Sequence, residues 1–191
     1  KYNKRFLFRS AAGLLRPLSN LPPKYNINHY GLKRSEKDNS LNLSPGLIVV
    51  GSYVPLANEQ LKFLLANSNC DPLELPLNKI FHILKHSLYD SLLELEQDFS
   101  CEISKILIDN RTPVIYTARR ELQFSSIDKR LEFGLSLAGI MARICAVFSS
   151  RVSYIISKGG ITTNSLLNEG LKLKSVDLKG QILPGLSLVI A

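Results

Sequence analysis

A chain of 191 residues with 45% hydrophobic content can bury one core of ordinary size and does not have to be divided. No apolar run approaches the roughly 20 residues of a membrane span; Cys70, Cys101 and Cys145, odd in number and widely spaced, fit a reducing compartment better than a disulfide framework, and no Cys-x-x-Cys or Cys/His cluster suggests zinc. The net charge of +8 admits anionic partners, yet Lys33, Arg34 and Lys37, and later Lys172, Lys174 and Lys179, carry no interleaved aromatics; this favours small anions such as nucleotides over nucleic acid.

The cysteines read as small core hydrophobes of a protein in a reducing, cytoplasmic setting. The chain opens without Met, so a fragment or processed product is expected, and the apolar stretch after Lys1 to Arg5 is too interrupted for a secretory signal. Arg5 to Arg9 fits a short strand, and Ser10 to Leu18 a short helix stopped by Pro17. Residues 19–45, rich in Pro, Asn, Lys and Ser, form a linker or long loop before a domain spanning 46–191.

Leu47-Ile48-Val49-Val50 is a continuous apolar run ending at Gly51, as expected of a strand covered on both faces. Pro55 opens a helical pattern with Leu61, Leu64 and Leu65 on one side. Leu73 to Leu77 suits another strand, Leu88 to Asp109 a long helix, and Val114 to Thr117 a second buried strand. Ser126 to Phe148 is a strongly periodic helix, on which Gly134 and Ala138 would let a neighbouring element approach closely. The tail gives strands at Ser175 to Leu183 and Leu186 to Ile190, hairpin-like around Pro184-Gly185. Strands alternating with long helices predict an α/β fold, a mainly parallel sheet with helices on both faces.

The densest signal is Tyr154-Ile155-Ile156-Ser157-Lys158-Gly159-Gly160-Ile161-Thr162-Thr163. A strand feeds a Gly-Gly turn, and hydroxyl residues then open an amphipathic segment. Glycines accept φ > 0 and let a ligand approach without meeting a Cβ, and the N–H groups opening a helix favour an anion, usually a phosphate. The plainer reading is that Gly-Gly turns the chain and Thr162 or Thr163 caps the helix.

Ligands of such sheets sit outside the carboxyl ends of the strands. Gly51-Ser52-Tyr53, Thr117-Ala118-Arg119-Arg120 and Ser157 to Thr163 follow three strand ends, and together they suit a polyphosphate on one rim. His82 and His86 share a helical spacing but lack a third metal ligand.

The strings Gly51-Ser52-Tyr53-Val54-Pro55 with Gln60-Leu61, Ile115 to Arg119, Lys158 to Thr163, and Gly180 to Gly185 resemble the four-carbon acid sugar kinase family. Phe6 to Ala12 is similar to the end of that family's N-terminal domain, which assigns residues 1–18 to the tail of a substrate domain. The resemblance implies an ATP-binding domain of a kinase phosphorylating a 3-oxo-tetronate-like acid with ATP and Mg²⁺. The family's Asp-Asp-rich substrate motif and final Gly-Asn-x-Gly segment do not occur in the chain, so a partial chain is expected, its sugar-acid site on an N-terminal domain.

On this resemblance Gly159 and Gly160 offer backbone N–H groups and Thr162 and Thr163 hydroxyls to the phosphates, Ser52 contacts the nucleotide, and Lys158 and Arg119 add positive potential. The family usually has Thr where Ala57 and Asn58 stand and commonly Asp where Ser165 stands. Those departures keep two alternatives open, a divergent subgroup and a non-catalytic nucleotide-sensing module. A basic nucleic-acid-binding protein is the remaining alternative, and a homo-oligomer is among the assemblies expected.

Overall fold

Leu47–Val50, the first strand (β1), is buried along its whole length, and an apolar run of this kind needs cover on both faces. The computed structural model supplies it. The structure describes residues 45–52, 54–117, 122–183 and 186–190; the expectations for 1–18 and nearly all of 19–45, and the placement of Arg119, lie outside the described residues.

The elements follow in the order β1, α1 (Pro55–Asn67), β2 (Cys70–Leu75), α2 (Leu77–Lys85), α3 (Tyr89–Ile108), β3 (Thr112–Thr117), α4 (Ile127–Ala146), β4 (Ile155–Lys158) and α5 (Gly160–Ser165). A π-helical segment, Leu166–Gly170, continues α5. The sheet is parallel throughout with strand order β2-β3-β1-β4. The step from β1 to β2 crosses β3 in one direction, and the next two steps run the other way. Right-handed crossovers therefore put α1 on one face and α2, α3 and α4 on the other.

The packing follows that division. Ile48, Val50 and Val114 meet Leu61, Leu64 and Leu65 of α1. Leu47, Val49 and Ile115 meet a larger cluster that includes Ile80, Leu95, Ile103, Ile140 and Phe148. Each side chain of this size, once fully buried, stabilises the fold by about 1.5–3 kcal/mol before entropy is counted. The expected α/β architecture with helices on both faces is what forms.

Several boundaries differ from expectation for local reasons. β2 starts at Cys70, because Pro72 is tolerated on an edge strand that pairs only with β3. A separate helix, α2, precedes the long one, and the break falls at Ser87, whose φ is 52°. Ser126 caps α4, its hydroxyl accepting from the Lys129 N–H at 3.2 Å. Gly170 lets the π-helical segment close on α4, since a Cβ there would lie 2.7 Å from the Ala142 carbonyl oxygen.

The C-terminal segment makes an antiparallel pair of its own, β5 (Asp177–Leu183) with β6 (Leu186–Ile190), interrupted by two register irregularities. Among the described residues no helix is long and apolar enough to cross a membrane.

Cysteine burial corrects one expectation. Cys145 is fully buried and Cys70 half-buried, but Cys101 is exposed on α3 and is not a core residue.

Candidate functional site

The register sets three strand ends on one edge. Val50 lies opposite both Tyr116 and Lys158, and Leu75 opposite Thr117, so Gly51, Thr117 and Lys158 share the carboxyl rim as expected. From that rim α1 leaves β1 on one face, while α4, with α5 packed against it, lies on the other. The carboxyl end of β1 thus sits where the chain changes direction, the position that opens a ligand crevice in sheets of this kind.

Backbone geometry draws the first and last of these ends together. The N–H groups of Gly51 and Ser52 both point to the Lys158 carbonyl oxygen, at 3.0 and 3.4 Å. Gly159 follows with φ 117°, a conformation that a side chain strains, and a Cβ there would sit 3.1 Å from the Ser52 nitrogen and 3.3 Å from Thr162 Oγ1. At Gly51 a Cβ would collide with Thr162 Oγ1. Gly160 differs from both: a Cβ would meet nothing within 4 Å. Two glycines are therefore fixed by the fold, and the third faces open space.

Helix α5 begins at this turn. The Thr163 N–H closes the first turn on the Gly159 carbonyl oxygen at 2.8 Å, and the N–H groups ahead of it have no partner within the helix. The expected hydroxyl cap is not there: Gly159 holds the N-cap position with no side-chain bond. Thr162 is instead buried against Gly51, and Thr163 shares a 2.8 Å hydrogen bond with Ser157 across the strand–helix junction.

The structure gathers Ser52, Gly159, Gly160 and Thr162 at one point, with Thr163 directly behind them. Lys158 is placed differently. Its register partner Val50 packs on the α1 face, so alternation along β4 sends the Lys158 side chain to that face, whereas Thr117 and Thr162 belong to the α4 side. Arg119 lies outside the described residues.

On the α4 side the rim opens into a cavity of about 380 Å³, bounded by Gly51, Thr117 and Thr162 at the sheet and by Arg130, Gly134 and Met141 along α4. Thr117 Oγ1 is buried with no hydrogen-bond partner among the described residues, and so is Asn58 Oδ1 in the first turn of α1. Buried orphan oxygens are rare and costly, and both lie beside the carboxyl end of β1. Gly134 was expected to admit a neighbouring element; no described atom lies within 4 Å of where its Cβ would be, and it lines the cavity instead.

Two of the departures noted in the sequence have structural counterparts. Ala57 is fully buried in α1, and the Ser165 hydroxyl donates to Glu169 Oε1 at 3.0 Å within its own helical segment. The His82 and His86 rings lie 4.5 Å apart between centroids, their planes tilted by 49°, and among the described residues no group of three or more His, Cys, Asp or Glu side chains is placed to hold a metal ion.

Sequence reading missed Arg130, Ile127 and Ile161 as cavity residues. Ile127 at 83% and Ile161 at 46% exposure flank the rim, a placement that depends on the fold and has no signal in the sequence.

A family model described as a nucleotide-binding C-terminal domain matches residues 47–191, well over half of the chain. No curated protein and no solved structure matches the chain significantly.

Proposed function

The chain belongs to the nucleotide-binding C-terminal domain family, and from that premise we propose that it is the ATP-binding domain of a kinase that phosphorylates a four-carbon sugar acid of the 3-oxo-tetronate type. The observation that carries the nucleotide part is the convergence of Gly51, Ser52, Gly159 and Thr162, with Gly160 opening onto free space at the start of α5. Phosphates there would meet backbone N–H groups and the positive end of α5, without a Cβ in the way. The kinase part is supported by the strings quoted from residues 51–61, 115–119, 158–163 and 180–185.

Phosphoryl transfer asks the protein mainly for positioning and charge neutralisation. In this reading Gly159 and Gly160 bind the phosphates through their N–H groups, Thr162 adds a hydroxyl, and Ser52 contacts the nucleotide from β1. Thr163 is a positioning residue, since its hydroxyl is engaged with Ser157. Lys158 supplies potential from the α1 face, and Arg119 is kept as a second source of positive charge on the sequence resemblance alone. Mg²⁺ would neutralise the transferring phosphate; the gathered residues include no carboxylate, so the ion would be held chiefly by the phosphates and water. The acid substrate and the base belong to an N-terminal domain, with the cytoplasm the expected setting.

Calorimetric titration with ATP and Mg²⁺, and separately with single-stranded and duplex oligonucleotides, tests this. Nucleotide binding alone is expected. Tight oligonucleotide binding that weakens steeply with salt, with no response to ATP, would replace it with a nucleic-acid function.

A non-catalytic nucleotide sensor is the second reading, favoured by Ala57 and Ser165. Ala57 has no hydroxyl, and the Ser165 hydroxyl is turned to Glu169. ATP binding without turnover in the whole protein would establish that version.

A further inference from the structure

The cavity beside Thr117 has a shape and chemistry that phosphate binding does not use. Its walls are largely aliphatic, formed by Ile127, Leu131, Met141 and Ile161 with Arg130 beside them, and its volume of about 380 Å³ falls within the range of small-molecule sites. Ile127, Leu131 and Ile161 are 83%, 52% and 46% exposed, so large apolar side chains ring the opening without covering one another. At its inner end sits Thr117 Oγ1, on a residue only 3% exposed and without a hydrogen-bond partner among the described residues.

Gly134 supplies an independent observation. It lies inside a helix of 20 residues, where glycine weakens the helix relative to alanine. Neither common reason for such a glycine applies: its φ lies outside the left-handed region, and a Cβ would touch nothing within 4 Å. What the missing side chain does is leave the cavity open along α4.

A second cavity, of about 580 Å³, lies on the opposite flank of α4 among Phe81, Phe124 and Phe133. Those rings already pack on one another at centroid distances of 5.4–5.7 Å, and none of its lining residues comes from the sheet's carboxyl rim.

We propose that the cavity between α4 and the ends of β1 and β3 takes the nucleobase of the bound nucleotide, with Gly134 as the open floor and the Thr117 hydroxyl as a hydrogen-bonding partner of the ring edge. The inference rests on the nucleotide-binding reading of the Gly159–Gly160 turn. A flat heterocycle fits aliphatic walls, and one hydroxyl at the closed end satisfies an edge nitrogen or an amino group. Thr162 joins the two regions, because it lines the cavity and also packs against Gly51 beside the turn.

The test compares ATP with inorganic tripolyphosphate, which shares the phosphates but has no base. In Gly134→Leu the helix gains propensity, so the melting temperature is expected to hold or rise. ATP affinity should fall about tenfold or more, while tripolyphosphate affinity stays within about twofold of the parent. Thr117→Val removes only the hydroxyl that has no partner among the described residues and should weaken ATP several-fold with tripolyphosphate again unchanged. A Gly134→Leu protein that is well folded and binds ATP as the parent does overturns the inference and leaves the phosphate site standing. Equal losses for ATP and tripolyphosphate also overturn it, since the cavity would then not be specific to the base. A parent that binds neither ligand removes the proposed function and this inference with it.

Discussion

Thr162 Oγ1 occupies the place where any residue other than glycine at position 51 would carry its Cβ, so β1 and the first turn of α5 meet only because residue 51 has no side chain. The same hydroxyl lies 3.3 Å from where a Cβ on Gly159 would stand. One small buried threonine therefore sets the spacing between two backbone turns. Gly51→Ala should destabilise the fold by about 1–3 kcal/mol, the usual cost of overpacking. Adding Thr162→Ala should recover much of that loss, and a double-mutant cycle on denaturant midpoints would measure the coupling. Strict additivity would contradict the contact.

Gly159 and Gly160 are adjacent and should behave oppositely. At φ 117°, with the Ser52 nitrogen close by, Gly159→Ala is expected to cost about 1–3 kcal/mol through strain. Gly160→Ala meets open space and should be neutral or stabilising by about 0.4–1 kcal/mol, because it restricts the unfolded chain. Thermal melts of the two variants would show the order directly.

Cysteine chemistry separates the three thiols. Burial pushes the Cys145 thiol up from 9.0 to about 12 and removes it from reagents, whereas Cys101 is exposed. Native labelling should modify Cys101 first and spare Cys145 until unfolding. The unfolded thiol ionises near 9 and the folded one does not, so Cys145 costs no stability below pH 9. Between about pH 9 and 12 it should lower stability by about 1.4 kcal/mol per pH unit. Cys145→Ala should flatten the alkaline slope by that amount, and an unchanged slope would mean that the thiol is not buried in solution.

The ion pair between Arg111 and Asp71 is bidentate, at 2.7 and 2.6 Å, and lies at the amino ends of β2 and β3, the edge away from the rim. It is partly exposed, so Asp71→Asn should cost no more than about 1 kcal/mol. Nucleotide affinity should not change, which makes this variant the control for substitutions at the rim.

Much of this fold was legible because its signals are strong. Leu47 to Val50 and Val114 to Thr117 are apolar runs that only a sheet covered on both faces accommodates, and the 126–148 periodicity is that of α4. Their common edge followed from strand–helix alternation alone. What was hidden depends on tertiary context. Whether Thr162 caps a helix or fills the gap above Gly51 cannot be read from spacing, because both readings place a threonine shortly after Gly-Gly. Lys158 looked adjacent to the turn in sequence, yet strand alternation carries it to the other face. Gly134 suggested close helix packing, a frequent reason for a helical glycine, and instead faces a cavity.

The central claim is that nucleotide phosphates approach the turn at Gly159 and Gly160. ATP and Mg²⁺ should be titrated calorimetrically into the parent chain, Gly160→Val and Thr162→Ala, each with a melting curve. Gly160→Val is expected to stay folded, because the site of its Cβ is open, and to lose ATP binding, because a branched side chain would fill the path of the phosphates. Thr162→Ala should lose less, about 1.5–3 kcal/mol of affinity, as expected for one hydrogen bond to a charged group. A folded Gly160→Val protein that binds ATP with parental affinity would contradict the account and move the phosphates away from this turn.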